Sequence, residues 1–225
     1  MSTATNSVVL LIDSTEKLAD TDDTGDSVRA SVRSLFAQHA RRLKLPGIHA
    51  VYSVPRDLTV LEPQALSISY EGGVPSLTAV TIEHKGHTPN LVGVAVLLDV
   101  LRKRHAEVGR LVERDELLTR LVTASGGNLR DLLFLVRSVI ARTFALPVGD
   151  RTVDAAIKVM ANDFRYLTAD ERQWLQTLAD DQWPKLDTDA DRRRFSEFLE
   201  RQVVLPYRNG DEWHDVTPPV RDLLA

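Results

Sequence analysis

Short uninterrupted apolar runs alternate with stretches of helical periodicity over the first part of the chain. Ser7 to Ile12 reads S-V-V-L-L-I and stops at Asp13, which is typical of a strand buried on both faces of a parallel sheet. Similar runs cover Ile48 to Val54 and Leu77 to Ile82. Between the first two, apolar residues recur at helical spacing from Val28 to Leu43. The β–α–β order predicts a parallel crossover and an α/β fold.

From Leu91 onward the apolar positions follow helical spacing only. A break at Ser125-Gly126-Gly127 separates two of these stretches, and Asn128 stands where a helix cap is expected. The pattern therefore predicts an all-α subdomain of four helices over Leu91 to His105, Glu113 to Thr123, Asn128 to Ala145 and Asp150 to Arg165.

The last sixty residues carry a different signature. Thr168 with Glu171 three residues later forms a capping-box pattern at the start of a helix. A second helix and two short strands joined at Asn209-Gly210 follow. The predicted helices cover Thr168 to Asp180 and Asp189 to Gln202, and the strands Val203 to Tyr207 and Glu212 to Val216. Helix, helix, two-stranded wing and a helix after Pro218-Pro219 predict a winged helix, so the chain is divided into residues 1–90, 91–164 and 165–225.

Composition narrows the chemistry without identifying it. The chain has 225 residues, a formal net charge of −4 and no cysteine. Disulfides, thiolate catalysis and cysteine-ligated metals are therefore excluded. The acidic balance gives no global reason to expect nucleic-acid or membrane binding, and the N-terminus lacks the basic and apolar regions of a signal peptide. We expect a cytoplasmic protein without membrane contact.

Two acidic residues stand out at the end of the first predicted strand. Asp13 lies where open α/β sheets bind ligands, and a carboxylate there can hold the water shell of Mg²⁺ beside nucleotide phosphates. Glu16, three residues later, could orient or deprotonate an attacking water. The alternative is that Asp13 caps the next turn and Glu16 pairs with a nearby lysine.

The order of these segments resembles the AAA+ and STAND families of P-loop ATPases, including bacterial members that carry a winged helix. The run from Ile48 to Pro55 resembles the sensor 1 strand, Ser125 to Leu133 resembles the lid helix with the sensor 2 arginine, and Leu205 to Leu224 resembles the winged helix. The resemblance implies a partial parallel P-loop NTPase sheet with Walker B and sensor 1, then an all-α lid and a C-terminal winged helix. ATP and Mg²⁺ would be the cofactors of the complete protein.

The resemblance also assigns roles to individual residues. Asp13 and Glu16 would be the Walker B acids, with Asp13 holding Mg²⁺ through water. The remaining nucleotide-contacting positions would be Ser53 or Tyr52 for sensor 1, Arg130 for sensor 2, and Arg56 as an arginine finger toward a neighbouring subunit. For Arg130, the alternative is an ion pair with Asp131 or Asp99 on a solvated face.

Three features depart from the family pattern. Ser14 follows Asp13 where a second acid is usual, and the sensor 1 position is not asparagine. No G-x-x-x-x-G-K-[ST] motif occurs, since none of the eleven glycines is followed by lysine. That loop supplies most of the binding to the β- and γ-phosphates. We therefore expect no ATP hydrolysis by this chain alone, and a P-loop segment upstream or on a separate subunit. A homo-oligomer and a protein partner bound through the winged helix are further expectations.

Two rival functions remain open. Arg192 to Arg194 lie on the helix before the wing, which faces the DNA groove in DNA-binding relatives, so the chain could be a winged-helix regulator. A phosphate-tracking surface should be net basic, and acidic side chains interleave here, so we favour packing or protein contact over DNA binding. The acids are Asp187, Asp189, Asp191, Glu197, Glu200, Asp211, Glu212 and Asp215. The other rival is a non-hydrolysing regulatory pseudo-ATPase that keeps the fold for assembly.

Overall fold

The computed structural model of the chain describes residues 8–13, 30–70 and 74–224. Contacts within the chain group into two compact units, which we call unit 1 (Met1–Ser76 with Thr188–Glu200) and unit 2 (Leu77–Asp187 with Arg201–Ala225). The predicted three-segment division stays a prediction, and the contacts group the residues differently from it.

The described residues form an α/β structure with one parallel and one antiparallel strand pair. The strands are β1 Val8–Ile12, β2 Ile48–Tyr52, β3 Val204–Asn209 and β4 Asp211–Val216. The α-helices are α1 Asp57–Leu61, α2 Pro63–Ser69, α3 Leu91–Arg104, α4 Asp115–Ala124, α5 Leu129–Ala141, α6 Asp150–Asn162, α7 Ala169–Asp181, α8 Asp189–Glu200 and α9 Pro218–Leu224. Shorter helical turns occupy Ser34–Gln38, Ala40–Leu43 and Val108–Leu111.

In unit 1, β1 and β2 pair in parallel with Val8 opposite Ile48 and Ile12 opposite Tyr52. The predicted parallel pairing is thus confirmed. The prediction that these strands are buried on both faces is wrong, because Leu11 is 73% exposed and Val51 is 54% exposed. Within the described residues the sheet consists of these two strands only, and the buried cluster of unit 1 lies among its helical residues. That cluster is Val32, Phe36, Leu58 and Leu66.

Helix α8 packs against α1 within unit 1 and buries Phe195, Phe198 and Leu199. The hairpin of β3 and β4, which follows α8 in sequence, belongs by its contacts to unit 2. The winged-helix arrangement of residues 165–225 therefore stays a prediction.

Unit 2 is organised around a continuous apolar core. Helices α3, α4, α5 and α6 supply it, and Leu117, Leu121, Leu132, Leu135 and Val139 are all completely buried. Helix α9 contacts α6 and α7, and α7 also contacts β4. The helices and the hairpin thus form one packed body.

The segment from Leu77 to Ile82 belongs to this body, and the prediction that it forms a third strand of the α/β sheet is wrong. Ala79 N–H donates to the Pro206 carbonyl at 3.0 Å, and Val80 N–H donates to the Gly127 carbonyl at 3.0 Å. The fit at Gly127 is tight, since a Cβ there would lie 1.9 Å from the Val80 carbonyl oxygen. Only glycine permits this approach.

Local signals in the C-terminal part are confirmed. Strands β3 and β4 are antiparallel around Gly210, whose φ of +85° requires glycine. Thr168 and Glu171 form the predicted capping box at the start of α7. Asn128 caps α5 by accepting from the Arg130 N–H at 2.9 Å.

Candidate functional site

The carboxyl ends of β1 and β2 bring two of the predicted site residues to the same edge of the sheet. Ser53 N–H donates to the Ile12 carbonyl at 2.9 Å, directly after the last register pair of the two strands. Asp13 follows Ile12 and is exposed, whereas Ser53 is half-buried. Asp13 and Ser53 therefore lie at the same edge of the sheet.

Tyr52, the alternative sensor 1 residue, is tied to the interior of unit 1. Its hydroxyl donates to the Leu43 carbonyl at 2.9 Å, and its ring packs edge-on against Phe36 with centroids 6.1 Å apart. These contacts are those of a core residue. Ser53 is accordingly the better candidate of the two for a contact at the sheet edge.

Arg56 lies three residues beyond Ser53, at the start of α1, and is half-buried. Its carbonyl oxygen accepts from the Thr59 hydroxyl at 2.7 Å, which fixes the backbone of this turn. Glu16, the predicted water-orienting residue, lies outside the described residues. The sheet edge is thus described for Asp13, Ser53 and Arg56.

The side chains at this edge offer oxygen atoms as possible metal ligands. Carboxylate and hydroxyl oxygens are hard ligands of the type that Mg²⁺ prefers, and Mg²⁺ commonly keeps several waters and uses one or two protein carboxylates. Among the described residues no group of three or more His, Cys, Asp or Glu side chains could enclose a metal. Asp13 and Ser53 thus offer oxygen atoms that are compatible with a water-mediated contact to Mg²⁺.

Arg130, the predicted sensor 2 residue, lies in the first turn of α5 in unit 2 and is exposed. The alternative partner Asp99 pairs instead with Lys103 at 2.8 Å. Asp131 beside it is half-buried, and burial raises the pKa of its carboxyl to about 6, partly opposed by the charge of Arg130. The start of α5 thus carries a permanent cation next to a carboxyl whose pKa is raised to about 6.

The sequence interpretation missed a buried ionic cluster in unit 2. The Asp215 side chain is only 4% exposed, and its Oδ2 contacts His87 Nε2 at 2.8 Å, Gln182 Nε2 at 3.0 Å and Arg221 Nη1 at 3.2 Å. Burial raises the pKa of Asp215, opposed by the hydrogen bond from Gln182 and by the charges of Arg221 and His87. Arg221 reaches Glu83 as well, at 2.9 Å.

This cluster fastens the turn around Lys85-Gly86-His87 to α7, β4 and α9. Gly86 N–H donates to Gln182 Oε1 at 2.6 Å, beside the contact between His87 and Asp215. Together these contacts hold the turn against the C-terminal end of α7, β4 and α9. Asp215 and His87 are separated by 128 positions, and no local sequence signal connects them.

Helix α8 and the hairpin each contain an ion pair between an arginine and a neighbouring carboxylate. On α8, Arg192 pairs with Asp189 at 3.0 Å, and in the hairpin Arg208 pairs with Glu212 at 2.9 Å. Each arginine is thus neutralised by a neighbour on its own element.

No helix in the described part of the chain combines the length and apolar character needed to cross a bilayer. Comparison of the chain with protein-family models, with curated proteins and with solved structures finds no match in any of the three.

Proposed function

We propose that this chain is the C-terminal part of an ATP-dependent switch or remodelling ATPase whose phosphate-binding loop lies outside these 225 residues. One observation carries the proposal: parallel pairing of β1 with β2 puts Asp13 and Ser53 at the carboxyl edge of the sheet. Open α/β sheets bind ligands outside the carboxyl ends of their strands. The order of the following segments, which resembles that of AAA+ and STAND proteins, adds support.

Exposure of the sheet is a second support. Parallel sheets are normally covered on both faces, and an isolated two-stranded pair is marginal in water. On one face Val9 and Leu11 are 57% and 73% exposed, and on the other Val8 is 59% exposed. Exposed apolar strands are what we expect of a sheet that is completed by further strands and helices from the segment that bears the P-loop.

In this proposal each residue has a limited task. Asp13 holds the water shell of Mg²⁺, and Ser53 contacts the phosphate end of the nucleotide. By resemblance alone, Arg130 is the residue that contacts the γ-phosphate. Arg56 serves a neighbouring subunit and Glu16 orients the attacking water, both by resemblance alone. Bound Mg·ATP would supply the reactive phosphoanhydride and the charge neutralisation. The chain itself supplies positioning.

The test begins with the coding sequence upstream, which should contain a strand followed by G-x-x-x-x-G-K-[ST]. The segment it encodes, produced together with this chain, should hydrolyse ATP in a Mg²⁺-dependent manner. Asp13→Asn should reduce the rate about 10- to 100-fold, since it weakens a water-mediated metal contact. Asp211→Asn is the control, because Asp211 is an exposed carboxylate of the hairpin in unit 2.

Three results would decide against the proposal. A complex that binds no nucleotide would remove the ATPase altogether. A complex that binds nucleotide but is insensitive to Asp13→Ala and Arg130→Ala would be the regulatory pseudo-ATPase instead. Salt-dependent binding of duplex DNA that falls when Arg192 to Arg194 are replaced would favour the winged-helix regulator.

A further inference from the structure

The loop before α5 is held by side chains that come from the neighbourhood of β3. The Tyr207 hydroxyl donates to the Gly126 carbonyl at 2.6 Å. The side-chain amide nitrogen of Asn128 donates to Gln202 Oε1 at 2.9 Å. The carbonyl oxygen of the same Asn128 side chain accepts from the Arg130 N–H at 2.9 Å. One side chain, Asn128, therefore bridges Gln202 and the first turn of α5.

Gln202 lies at a particular point of the chain. Contacts assign α8 to unit 1 and the residues from Arg201 onward to unit 2, so Gln202 follows directly on the crossing between units. Its φ is +57°, a left-handed conformation that is unfavourable for residues other than glycine. The next residue, Val203, is completely buried. Gln202 thus combines a left-handed backbone with a side-chain hydrogen bond to Asn128.

We infer that Gln202 is a positioning residue for Arg130 and acts on it through Asn128. The relay makes the placement of Arg130 depend on the short segment by which the chain leaves α8. The inference rests on the proposed function for the role of Arg130 toward nucleotide, whereas the relay itself is a property of this chain.

The experiment is amide hydrogen exchange of Arg130, measured by NMR on the purified 225-residue chain without nucleotide. Gln202→Met keeps the shape and removes the acceptor oxygen, while Gln202→Glu keeps an acceptor oxygen. We expect exchange at Arg130 to rise about 3- to 10-fold in Gln202→Met, the effect of losing one hydrogen bond, and to stay within about twofold in Gln202→Glu. Amides in the middle of α7 serve as the control for global stability.

A second variant separates positioning from stability. Gln202→Gly relieves the left-handed backbone and removes the side chain, so the denaturation midpoint should not fall, whereas exchange at Arg130 should rise as in Gln202→Met. Unchanged exchange at Arg130 in both variants would overturn the inference. So would an equal rise at Arg130 and in α7, because that would report general loosening.

Nucleotide measurements on the complex with the P-loop segment form a separate arm. Preference for ATP over ADP should fall about 3- to 10-fold in Gln202→Met and be retained in Gln202→Glu. If exchange at Arg130 responds while nucleotide preference does not, the relay stands and the proposed role of Arg130 fails. If the complex binds no nucleotide, the proposed function fails and the exchange result still decides the relay.

Discussion

The sheet of unit 1 and the helical core of unit 2 use the same aliphatic residues and differ in what covers them. In unit 2, Leu121 and Leu135 are completely buried among neighbouring helices. In unit 1, Leu11 lies in an equally apolar run and is 73% exposed. The helical core of unit 2 buries its aliphatic side chains among the described residues. The sheet has the composition of a buried element, yet its described aliphatic side chains are exposed, which is why we propose that another segment completes it.

The largest effect should come from truncating a matched pair of leucines. Leu121→Ala removes a fully buried side chain and should lower the free energy of unfolding by about 3 to 4 kcal/mol. Leu11→Ala should change it by less than about 0.5 kcal/mol. Denaturant unfolding followed by circular dichroism measures both, and tryptophan fluorescence reports unit 2 alone, because all three tryptophans lie there. Similar losses for the two leucines would contradict the contrast between the regions.

The ionic cluster of unit 2 should give the next largest effect. Arg221→Met leaves the carboxylates of Asp215 and Glu83 without their shared cation. Because a buried carboxylate without a cation is destabilising, we expect the free energy of unfolding to fall by about 3 kcal/mol. Arg208→Met is the matched control, since its pair with Glu212 is largely exposed and should contribute less than about 1 kcal/mol. Unfolding monitored by tryptophan fluorescence at pH 7 compares them. A loss no larger for Arg221 than for Arg208 would show that the cluster does not lock the turn.

Asp131 should make unit 2 sensitive to pH. Its carboxyl has a pKa raised from 3.8 to about 6, so the folded state binds more protons than the unfolded state between these values. The contribution of Asp131 to the free energy of unfolding is therefore most favourable below about pH 4. It is lost as the pH rises through about 6. The shift corresponds to about 3 kcal/mol, which partial exposure and the helix N-terminus reduce to about 2 kcal/mol.

Asp131→Asn should remove this dependence. Unfolding is followed by tryptophan fluorescence at pH 4, 5, 6 and 7. Between pH 4 and pH 7, the free energy of unfolding of the variant should rise by about 2 kcal/mol relative to that of the wild type. Carboxyl NMR of the wild type provides the direct midpoint. Parallel pH profiles of variant and wild type would show that Asp131 titrates like a solvated carboxyl.

Features set by neighbouring residues were predictable from the sequence. The hairpin turn at Asn209-Gly210, the Asn128 cap and the capping box of Thr168 each depend on contacts within a few positions. The parallel pairing of β1 and β2 follows from the β–α–β order, because such crossovers join neighbouring parallel strands. At the candidate site, this pairing alone brings Asp13 and Ser53 to one edge.

Features set by distant partners were not predictable. The segment from Leu77 to Ile82 has the composition of a sheet strand, but its backbone bonds go to Gly127 and Pro206 in unit 2. His87 contacts Asp215 across 128 positions, and no local sequence pattern around either residue predicts that contact. The exposure of Leu11 has the same origin, since an apolar run indicates that a strand should be covered without indicating which segment covers it.

Substitutions on the exposed face of the sheet should have the smallest effect on stability and test directly whether that face binds another segment. Val9 and Val51 lie on the same face of the strand pair and are 57% and 54% exposed. The double variant Val9→Thr with Val51→Thr keeps their shape and should change the free energy of unfolding by less than about 0.5 kcal/mol. Binding of a hydrophobic dye to the chain should decrease.

The same double variant should matter once the sheet is covered. Burying two hydroxyls without hydrogen-bond partners costs roughly 1 to 3 kcal/mol each, so association with the P-loop segment should weaken at least about tenfold. Val92→Thr, at a 74% exposed position on α3, is the control and should leave association unchanged. Isothermal titration of the P-loop segment into each variant measures the difference. Equal affinities for wild type and double variant would place the completing segment somewhere other than this face, and the sheet would then owe its exposure to a different role.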